Sequence, residues 1–478
     1  MSAPRAGRRM ATARPPRFDA GVVLAVVLAV LAVAAVLVAS SGRAPDQHAA
    51  QASGVPVDHA LHGCPRFAAP RGTSTTAVTG AAPVPGLGER GSVRYGAPGD
   101  APSSWTEADL GRGELLRIEA GAGDPQALAV EATGRLAAGL FTFEVDAADS
   151  STAVTDCPSP RAQWWFTGAG ATLDHTSELV LTNLDTGPAV VDVQVLGPDG
   201  EVETVGTRGI TVAPGERSTL SLTDVAPQGE ELAVSVVASR GRVVAAVSDS
   251  FTPGTAAATG TDWIPAQSSP SRVLRLAGLP AKADSHTLIV ANPSQLEALV
   301  DVRVSSGTGS FTPTDDAQVR VPPGTVVATD LSGTIGRDAS AVTLRSTVPV
   351  TGSVRSVAAG DTSYAGSVRP LTAPAVAPVP GGARATVQVT AVATDEPATA
   401  TVASYARDGS RTGSTTVEVP GGATLTTSPE KKADYVVVTA RGGRLVGAVT
   451  YRGEGLAAMP LRPLALRVDE PVVLPALG

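Results

Sequence analysis

Hydrophobic and polar residues alternate along short segments of this chain, and the segments recur at intervals of about 100 residues. Residues 191–195 (VDVQV) and 300–304 (VDVRV) are a corresponding pair. A period of two places alternate side chains on one face of an extended strand. Many such strands separated by turn residues predict an all-β fold built from tandem immunoglobulin-like β-sandwich domains.

Two asparagines fix the register of the repeat. Asn183 and Asn292 are the only asparagines of the chain, and each stands at the end of an apolar segment. Each is followed at the same spacing by a Pro-Gly pair, Pro214-Gly215 and Pro323-Gly324. Because asparagine bonds readily to nearby backbone, both are expected to hold turns at strand ends.

Two further copies are weaker. Residues 386–389 and 416–421 repeat the strand and turn pattern, with a slip in spacing that requires an insertion or deletion. Residues 128–145 have the pattern of the closing hairpin seen in residues 232–248 and 435–450. The segment 128–145 therefore indicates a diverged first copy.

An unbroken apolar run covers residues 21–39 and follows five arginines. About 20 such residues cross a bilayer as a helix, and positive charge favours the cytoplasmic side. The run predicts one transmembrane helix with the C-terminal portion outside the cytoplasm. A cleaved signal peptide ending near residues 39–42 is the alternative, and it predicts the same location.

These patterns predict seven segments. They are a basic cytoplasmic tail (1–20), a transmembrane helix in the lipid bilayer (21–40), a flexible stalk (41–62), a disulfide-closed β domain (63–160) and three β-sandwich repeats (161–268, 269–375 and 376–478).

Charge and composition exclude some partners. Formal net charge is −8, and aromatic residues are only 3% of the chain. Binding to phosphate backbones needs clustered basic side chains, and the arginine cluster lies before the apolar run. No nucleic-acid partner is therefore expected.

The two cysteines, Cys64 and Cys157, are expected to form one disulfide, since the predicted compartment is oxidising. Two buried free thiols are the alternative. A metal site that adds His59 and His62 lacks an apparent fourth ligand, so no metal is predicted.

No catalytic motif stands out. Residues 86–91 (GLGERG) fit a dinucleotide-binding spacing, but Pro83 and Pro85 precede them and no helical pattern follows. His175 and His286 occupy corresponding positions and are expected to be exposed turn residues. The sequence therefore predicts no catalytic residues, no cofactor and a protein that is not an enzyme.

Trp164 and Trp165 are candidate ligand contacts. Neighbouring strand residues point to opposite faces, so one indole must leave its own core. A neighbouring domain is expected to cover it, and an open sugar-stacking platform is the alternative. Trp263 stands at the next junction and favours the first interpretation.

The apolar run, Cys64-Pro65 with Cys157-Pro158, Trp164-Trp165-Phe166 and the asparagine repeat together resemble a family. They are similar to uncharacterised membrane-anchored proteins of actinobacteria that share a domain of unknown function. The resemblance implies a location in the cell envelope and no catalytic residues. The expected function is a scaffold or protein-binding module of the cell envelope, and the alternative is binding of cell-wall glycan.

Overall fold

The computed structural model describes residues 54–65, 74–120, 126–148, 151–252, 260–267, 269–453 and 455–469. The chain divides into two units, Met1–Val55 with Asp469–Gly478, and Pro56–Val468. The fold below concerns the second unit. The predicted transmembrane helix lies outside the described residues, and within them no helix has the length and apolar character to cross a membrane.

Nearly every element is a strand, as the alternating pattern predicts, and successive strands form four pairs of facing sheets, named sandwiches 1 to 4. Sandwich 1 contains β2 (His59–Cys64), β3 (Ser74–Ala81), β4 (Arg90–Gly96), β5 (Thr106–Gly111), β6 (Leu115–Glu119), β7 (Leu128–Thr133), β8 (Leu140–Ala148) and β9 (Ser151–Asp156). Sandwich 2 contains β10 (Gln163–Ala169), β11 (His175–Thr182), β12 (Ala189–Gly197), β13 (Gly200–Glu201), β14 (Ile210–Val212), β15 (Arg217–Ser221), β16 (Leu232–Arg240), β17 (Val244–Phe251) and β18 (Gly260–Ile264).

The second half of the chain repeats the plan. Sandwich 3 contains β19 (Ser271–Leu279), β20 (Ser285–Ala291), β21 (Ala298–Ser306), β22 (Gly309–Phe311), β23 (Gln318–Val321), β24 (Val326–Asp330), β25 (Ser340–Ala358) and β26 (Asp361–Gly366). Sandwich 4 contains β27 (Ala375–Pro378), β28 (Arg384–Ala391), β29 (Ala398–Tyr405), β30 (Arg411–Val419), β31 (Thr424–Thr427), β32 (Tyr435–Arg441), β33 (Leu445–Arg452) and β34 (Leu456–Pro460).

The remaining elements are short. Two short strands, β1 (Gly54–Pro56) and β35 (Arg467–Asp469), lie at the boundary of the two units. Among the described residues, the one α-helix is α1 (Leu222–Val225), and single 3-10 turns cover Pro102–Ser104 and Gly134–Leu136. Residues 59–62 of the predicted flexible stalk lie in β2, whose pairing with β7 decides its conformation.

Sandwiches 1, 2 and 4 have the same sheet order. In sandwich 1 the sheets run β2-β7-β4-β5 and β6-β3-β8-β9, and in sandwich 4 they run β27-β32-β29-β30 and β31-β28-β33-β34. Sandwich 2 follows with β10-β16-β12-β13 and β15-β11-β17-β18. Sandwich 3 differs because β25 is 19 residues long and joins both sheets, where the other sandwiches have two strands and a hairpin turn.

The predicted alternation places valines in the core. In β12, Val191, Val193 and Val195 are buried, while Asp192 and Gln194 are exposed. The corresponding residues of β21 follow the same pattern. Burying such side chains contributes about 1.5–3 kcal/mol each, so the alternation itself is the main source of sandwich stability.

The two asparagines hold the turns that their spacing predicts. Asn183 is buried, its side-chain carbonyl accepts from the Asp185 amide, and its Nδ2 donates to the carbonyl oxygens of Gly187 and Val212. Its backbone carbonyl accepts from the amide of Gly215, which has a φ of +73°. Asn292 and Gly324 repeat these bonds, so the asparagine and the Pro-Gly turn recur together because they bind each other.

The last strands of the four sandwiches contact one another in a closed circuit. β9 packs against β18, β18 against β26, β26 against β34, and β34 against β9. The first and last sandwiches also meet elsewhere, where the Leu115 amide donates to the Arg407 carbonyl and the Tyr435 hydroxyl donates to the Gly113 carbonyl. Each sandwich therefore contacts two neighbours.

The predicted disulfide is confirmed. Cys64 at the end of β2 is bonded to Cys157, one residue after β9, and both residues are buried. The bond joins the two sheets of sandwich 1, because β2 is the first strand of one sheet and β9 is the last strand of the other. It closes a segment with a sequence separation of 93 residues.

Replacing both cysteines by alanine is expected to lower the free energy of unfolding by about 4–5 kcal/mol, because the unfolded chain regains the closed loop's entropy. Calorimetry of the full-length variant and the wild-type protein measures the loss. An unchanged melting temperature in the variant and in the reduced wild-type protein would show that the loop contributes nothing.

Candidate functional site

The two candidate tryptophans are both buried, on opposite faces of β10. The Trp164 side chain lies in the core of sandwich 2, where its Nε1 donates to the Val243 carbonyl at 3.0 Å. Trp165 is 5% exposed and packs with Leu196 and Ala233 of sandwich 2 against Ile289 of sandwich 3. Neither indole offers an exposed platform to a sugar, because the neighbouring sandwich covers the one that leaves its own core.

The Trp165 face of the sheet is also bonded to sandwich 3 by polar groups. Gln267, which follows β18, accepts from the Thr351 hydroxyl at 3.0 Å and donates to the Thr167 hydroxyl at 3.2 Å. The Ser353 hydroxyl donates to the Thr167 carbonyl at 2.6 Å. Sandwiches 2 and 3 therefore share a junction with apolar and hydrogen-bonded parts.

Trp263 joins sandwich 2 to sandwich 1, as its Nε1 donates to Asp146 of sandwich 1 at 3.0 Å.

His175 and His286 are buried, at 3% and 2% exposure, so the expectation that they are exposed turn residues is wrong. Both lie within strands on the apolar face. In β11, His175 and Ser177 point to the same face as Leu179 and Leu181. In β20, His286 points to the same face as Leu288. Counting the period of two back from the leucines would have placed both imidazoles inside.

His175 belongs to a buried polar network at the junction of sandwiches 2 and 3. Its Nε2 lies 3.1 Å from Asp249, and its Nδ1 lies 3.0 Å from the Glu230 carbonyl. Ser177 donates to the same oxygen of Asp249, and the Tyr364 hydroxyl of sandwich 3 donates to the other at 2.5 Å. Burial, and then the charge of Asp249, raise the pKa of Tyr364, so its proton stays in this bond.

An ion pair crosses the same junction. Arg355 of sandwich 3 forms two hydrogen bonds with Glu231 of sandwich 2, at 2.5 and 3.2 Å. Its guanidinium also lies 4.1 Å from the centre of the Phe251 ring, where a cation is attracted to the aromatic face. Burial disfavours the charged form, but the bonded carboxylate of Glu231 raises the pKa of Arg355, which stays charged.

The network contains serine, histidine and aspartate, but its bonds are not those of a nucleophilic triad. Such a triad needs the hydroxyl bonded to the imidazole, whereas Ser177 donates to Asp249 and accepts from the Gly170 amide. All four polar side chains of the network are at most 4% exposed. The arrangement therefore holds two sandwiches together, and it offers no open position to a substrate.

Carboxylates also meet where the last strands contact. Asp361 of β26 accepts from the Thr362 amide at 2.9 Å and from the Leu456 amide of β34 at 2.6 Å. Burial raises its pKa to about 6. Asp262 of β18 is 1% exposed, and burial raises its pKa well above the ordinary value. One of its oxygens has no hydrogen-bond partner among the described residues, in agreement with a protonated carboxyl.

Cys64, Cys157 and Glu144 place one potential ligand atom each within 4.8 Å of one another. Both sulfurs belong to the disulfide and provide no thiolate, so the group lacks the donors that a zinc site requires.

Three open clefts among the described residues are candidate binding sites. One, of about 850 Å³, lies on the outer face of sandwich 2 beside Asp192, Glu201, Glu203 and the exposed Val205. A second, of about 520 Å³, lies at the end of sandwich 2 beside Pro198 and Gln228. A third, of about 490 Å³, lies between sandwiches 3 and 4. None of them contains a residue that the sequence predicted as a site, because each forms where separate strands and loops meet.

Replacing Tyr364 by phenylalanine is expected to destabilise the protein by about 2 kcal/mol, since one oxygen of the buried Asp249 loses its donor. Tyr451→Phe is the matched control. Its hydroxyl donates at 3.0 Å to the neutral Pro378 carbonyl within sandwich 4, so about 1 kcal/mol is expected. Denaturant unfolding of both variants compares them, and equal losses would contradict a charge-assisted link.

The stability contribution of His286 is expected to depend on pH. Burial lowers its pKa to about 4, which Asp330 opposes, whereas an exposed histidine titrates near 6.5. The contribution is therefore complete above about pH 6.5 and is lost as the pH falls towards 4, by about 3 kcal/mol at most.

Subtracting the unfolding free energy of His286→Gln from that of the wild-type protein, at each pH, isolates this residue. His62 acts with the same sign, since burial lowers its pKa to about 4. Asp361 acts with the opposite sign, since its raised pKa favours the folded state at low pH and the benefit is lost as the pH rises through about 6. The contributions of His62 and Asp361 are the same in the wild-type protein and in the variant, so they cancel in the difference. A difference that does not change with pH would contradict the prediction.

The comparisons with known proteins agree with the expectation of an uncharacterised family. No curated protein matches the chain. A family model described as a family of unknown function (DUF5719) matches residues 118–430. That range begins in sandwich 1, includes all of sandwiches 2 and 3 and ends in sandwich 4. Because the match covers more than half of the 478 residues, this chain belongs to the family of unknown function DUF5719.

Proposed function

We propose that this protein is a non-enzymatic scaffold of the cell envelope, anchored in the membrane by residues 21–40, with its sandwiches outside the cytoplasm. Its sandwiches are interpreted as immunoglobulin-like domains that present outer faces to a protein partner. The actinobacterial source implied by the sequence resemblance belongs to the same proposal.

The single observation that supports this function best is the closed circuit of last strands. Sandwiches linked only in series bend at each linker, whereas here sandwich 4 packs against sandwich 1. The ring of Phe141 in sandwich 1 lies against the ring of Tyr435 in sandwich 4 in a tilted arrangement, with the centroids 5.6 Å apart. A large apolar junction resists the relative motion that is the default between domains. A stiff framework suits a scaffold.

The hydrogen bonds among the buried polar side chains support the proposal that the protein is not an enzyme. His175, Ser177, Asp249 and Tyr364 form one bonded group with the residue types of acid, base or nucleophilic chemistry. Their hydrogen-bonding atoms are occupied by one another and by backbone. Their role is to fix the angle between two sandwiches.

The cysteines give a test of location. Full-length protein from cells is expected in the membrane fraction. After denaturation, which exposes both buried cysteines, its thiols are expected to be protected from a maleimide reagent until a reductant is added, because the disulfide persists in an oxidising compartment. A variant lacking residues 21–40 is the matched control. It is expected in the cytoplasm with both thiols reactive. Free thiols in the full-length protein would contradict the proposed location.

The partner is tested separately. Cross-linking in intact cells, followed by purification of the full-length protein, is expected to recover the same envelope protein from independent cultures. The variant lacking residues 21–40 is expected to lose it. Failure to recover any reproducible partner would contradict the scaffold while leaving the location intact.

Binding of cell-wall glycan through Trp164 or Trp165 is the alternative suggested by the sequence. Both indoles are buried in the junctions described above, so no observation favours those residues as its site.

A further inference from the structure

The cleft between sandwiches 3 and 4 has two distinct walls. One wall is the outer face of the sheet β31-β28-β33-β34 of sandwich 4. The other is formed by residues 280–282 and 338–339 of sandwich 3. Farther along the same sheet face, Val446 and Ala448 pack against Ala277 and Val368 of sandwich 3. The junction is therefore closed at its apolar end and open at its polar end.

Positive charge is concentrated at the mouth. Arg384 of β28 and Arg452 of β33 are direct cross-strand partners, an arrangement that destabilises a sheet because like charges face each other. Lys282 stands on the opposite wall, and Asp338 is the one acid among the lining residues. Arg452 donates to the Ala281 carbonyl at 2.9 Å, while Arg384 is exposed and has no bond to a described side chain. Among the described lining residues, three cations therefore stand against one acid.

The backbone at Lys282 is also unusual. Its φ is +55°, in the left-handed region that residues other than glycine rarely adopt. Strained residues of this kind persist where the surrounding structure holds them, and they concentrate at binding sites. Here the strained turn carries the third cation into the mouth of the cleft.

The floor of the cleft contains an unsatisfied acceptor. Gln388 of β28 is 1% exposed, and its Nε2 donates to the Leu279 carbonyl at 2.9 Å. Its Oε1 is buried with no donor among the described residues. An unsatisfied buried acceptor is costly, and a hydroxyl supplied from the cleft would satisfy it.

Threonine hydroxyls connect the mouth to the floor. Thr386 and Thr450 line the cleft between the arginines and Gln388, and Thr426 lines it beside Gln388. Thr386 and Thr450 are cross-strand partners, and Thr426 is the partner of Gln388. Hydroxyls both donate and accept hydrogen bonds. The lining thus changes from cations at the mouth to neutral polar groups inside.

We propose that this cleft binds an anionic carbohydrate. A carboxylate or phosphate of the sugar pairs with Arg384, Arg452 and Lys282, and neighbouring sugar hydroxyls bond to the threonines and to the Oε1 of Gln388. Guanidinium groups suit both anions, since each presents paired oxygens to the planar donors. This site does not depend on the scaffold function, so its test is independent of membrane anchoring.

Saturation-transfer NMR on the full-length protein in a detergent that contains no sugar provides the test. The ligands are glucuronic acid and glucose 6-phosphate, with glucose and inorganic phosphate as the matched controls that lack the anion or the hydroxyls. At least one of the two anionic sugars is expected to bind more tightly than both controls, and which one binds identifies the anion. Equal binding of glucose would contradict the role of the cations, and equal binding of phosphate would contradict the role of the hydroxyls.

Variants locate the site. Arg384→Gln is expected to weaken binding about tenfold, the effect of one charge-assisted hydrogen bond. Arg208→Gln is the control, since Arg208 is an exposed arginine beside the cleft on the outer face of sandwich 2. This variant is expected to bind the sugar as the wild-type protein does. Thr426→Val preserves the shape of an exposed side chain. It is expected to weaken binding of the sugar without affecting binding of phosphate. Equal affinity in Arg384→Gln and wild-type protein, with melting temperatures unchanged, would overturn the proposal.

Discussion

The structure depends on the requirement that buried polar groups be paired. Asp249, Asp361 and Asp146 are all at most 5% exposed, and each takes at least one of its hydrogen bonds from a different sandwich. A sandwich separated from its neighbours would take one donor from each of these carboxylates, and losing a hydrogen bond to a charged group costs about 1.5–3 kcal/mol. The polar groups therefore make the sandwiches depend on one another.

This dependence complements the apolar packing. Valine and alanine cores tolerate small shifts, because dispersion contacts are individually weak and not directional. Hydrogen bonds to charged groups are directional and short. The bond from Tyr364 to Asp249 and the ion pair of Arg355 with Glu231 fix the angle at which sandwich 3 meets sandwich 2. Rigid angles at each junction are what a closed circuit of four units requires.

Much of the local structure follows from short patterns. The strands β12 and β21, the asparagine turns and the disulfide were all predictable from alternation, spacing and the count of cysteines. The same alternation, extended back along β11, places His175 inside, but the histidine was expected in a turn before the strand. The error came from where the strand was expected to begin.

The sequence by itself determined that the chain forms short strands with one buried face, where the turns fall and which cysteines pair. These are local consequences of alternation and backbone preference. Only the tertiary structure decided that Trp165 is covered, that Asp361 meets Leu456 and that Arg384 faces Arg452 beside Gln388. Those contacts join residues far apart along the chain through sheet faces that look alike in sequence, so which face meets which is set by packing among whole sandwiches.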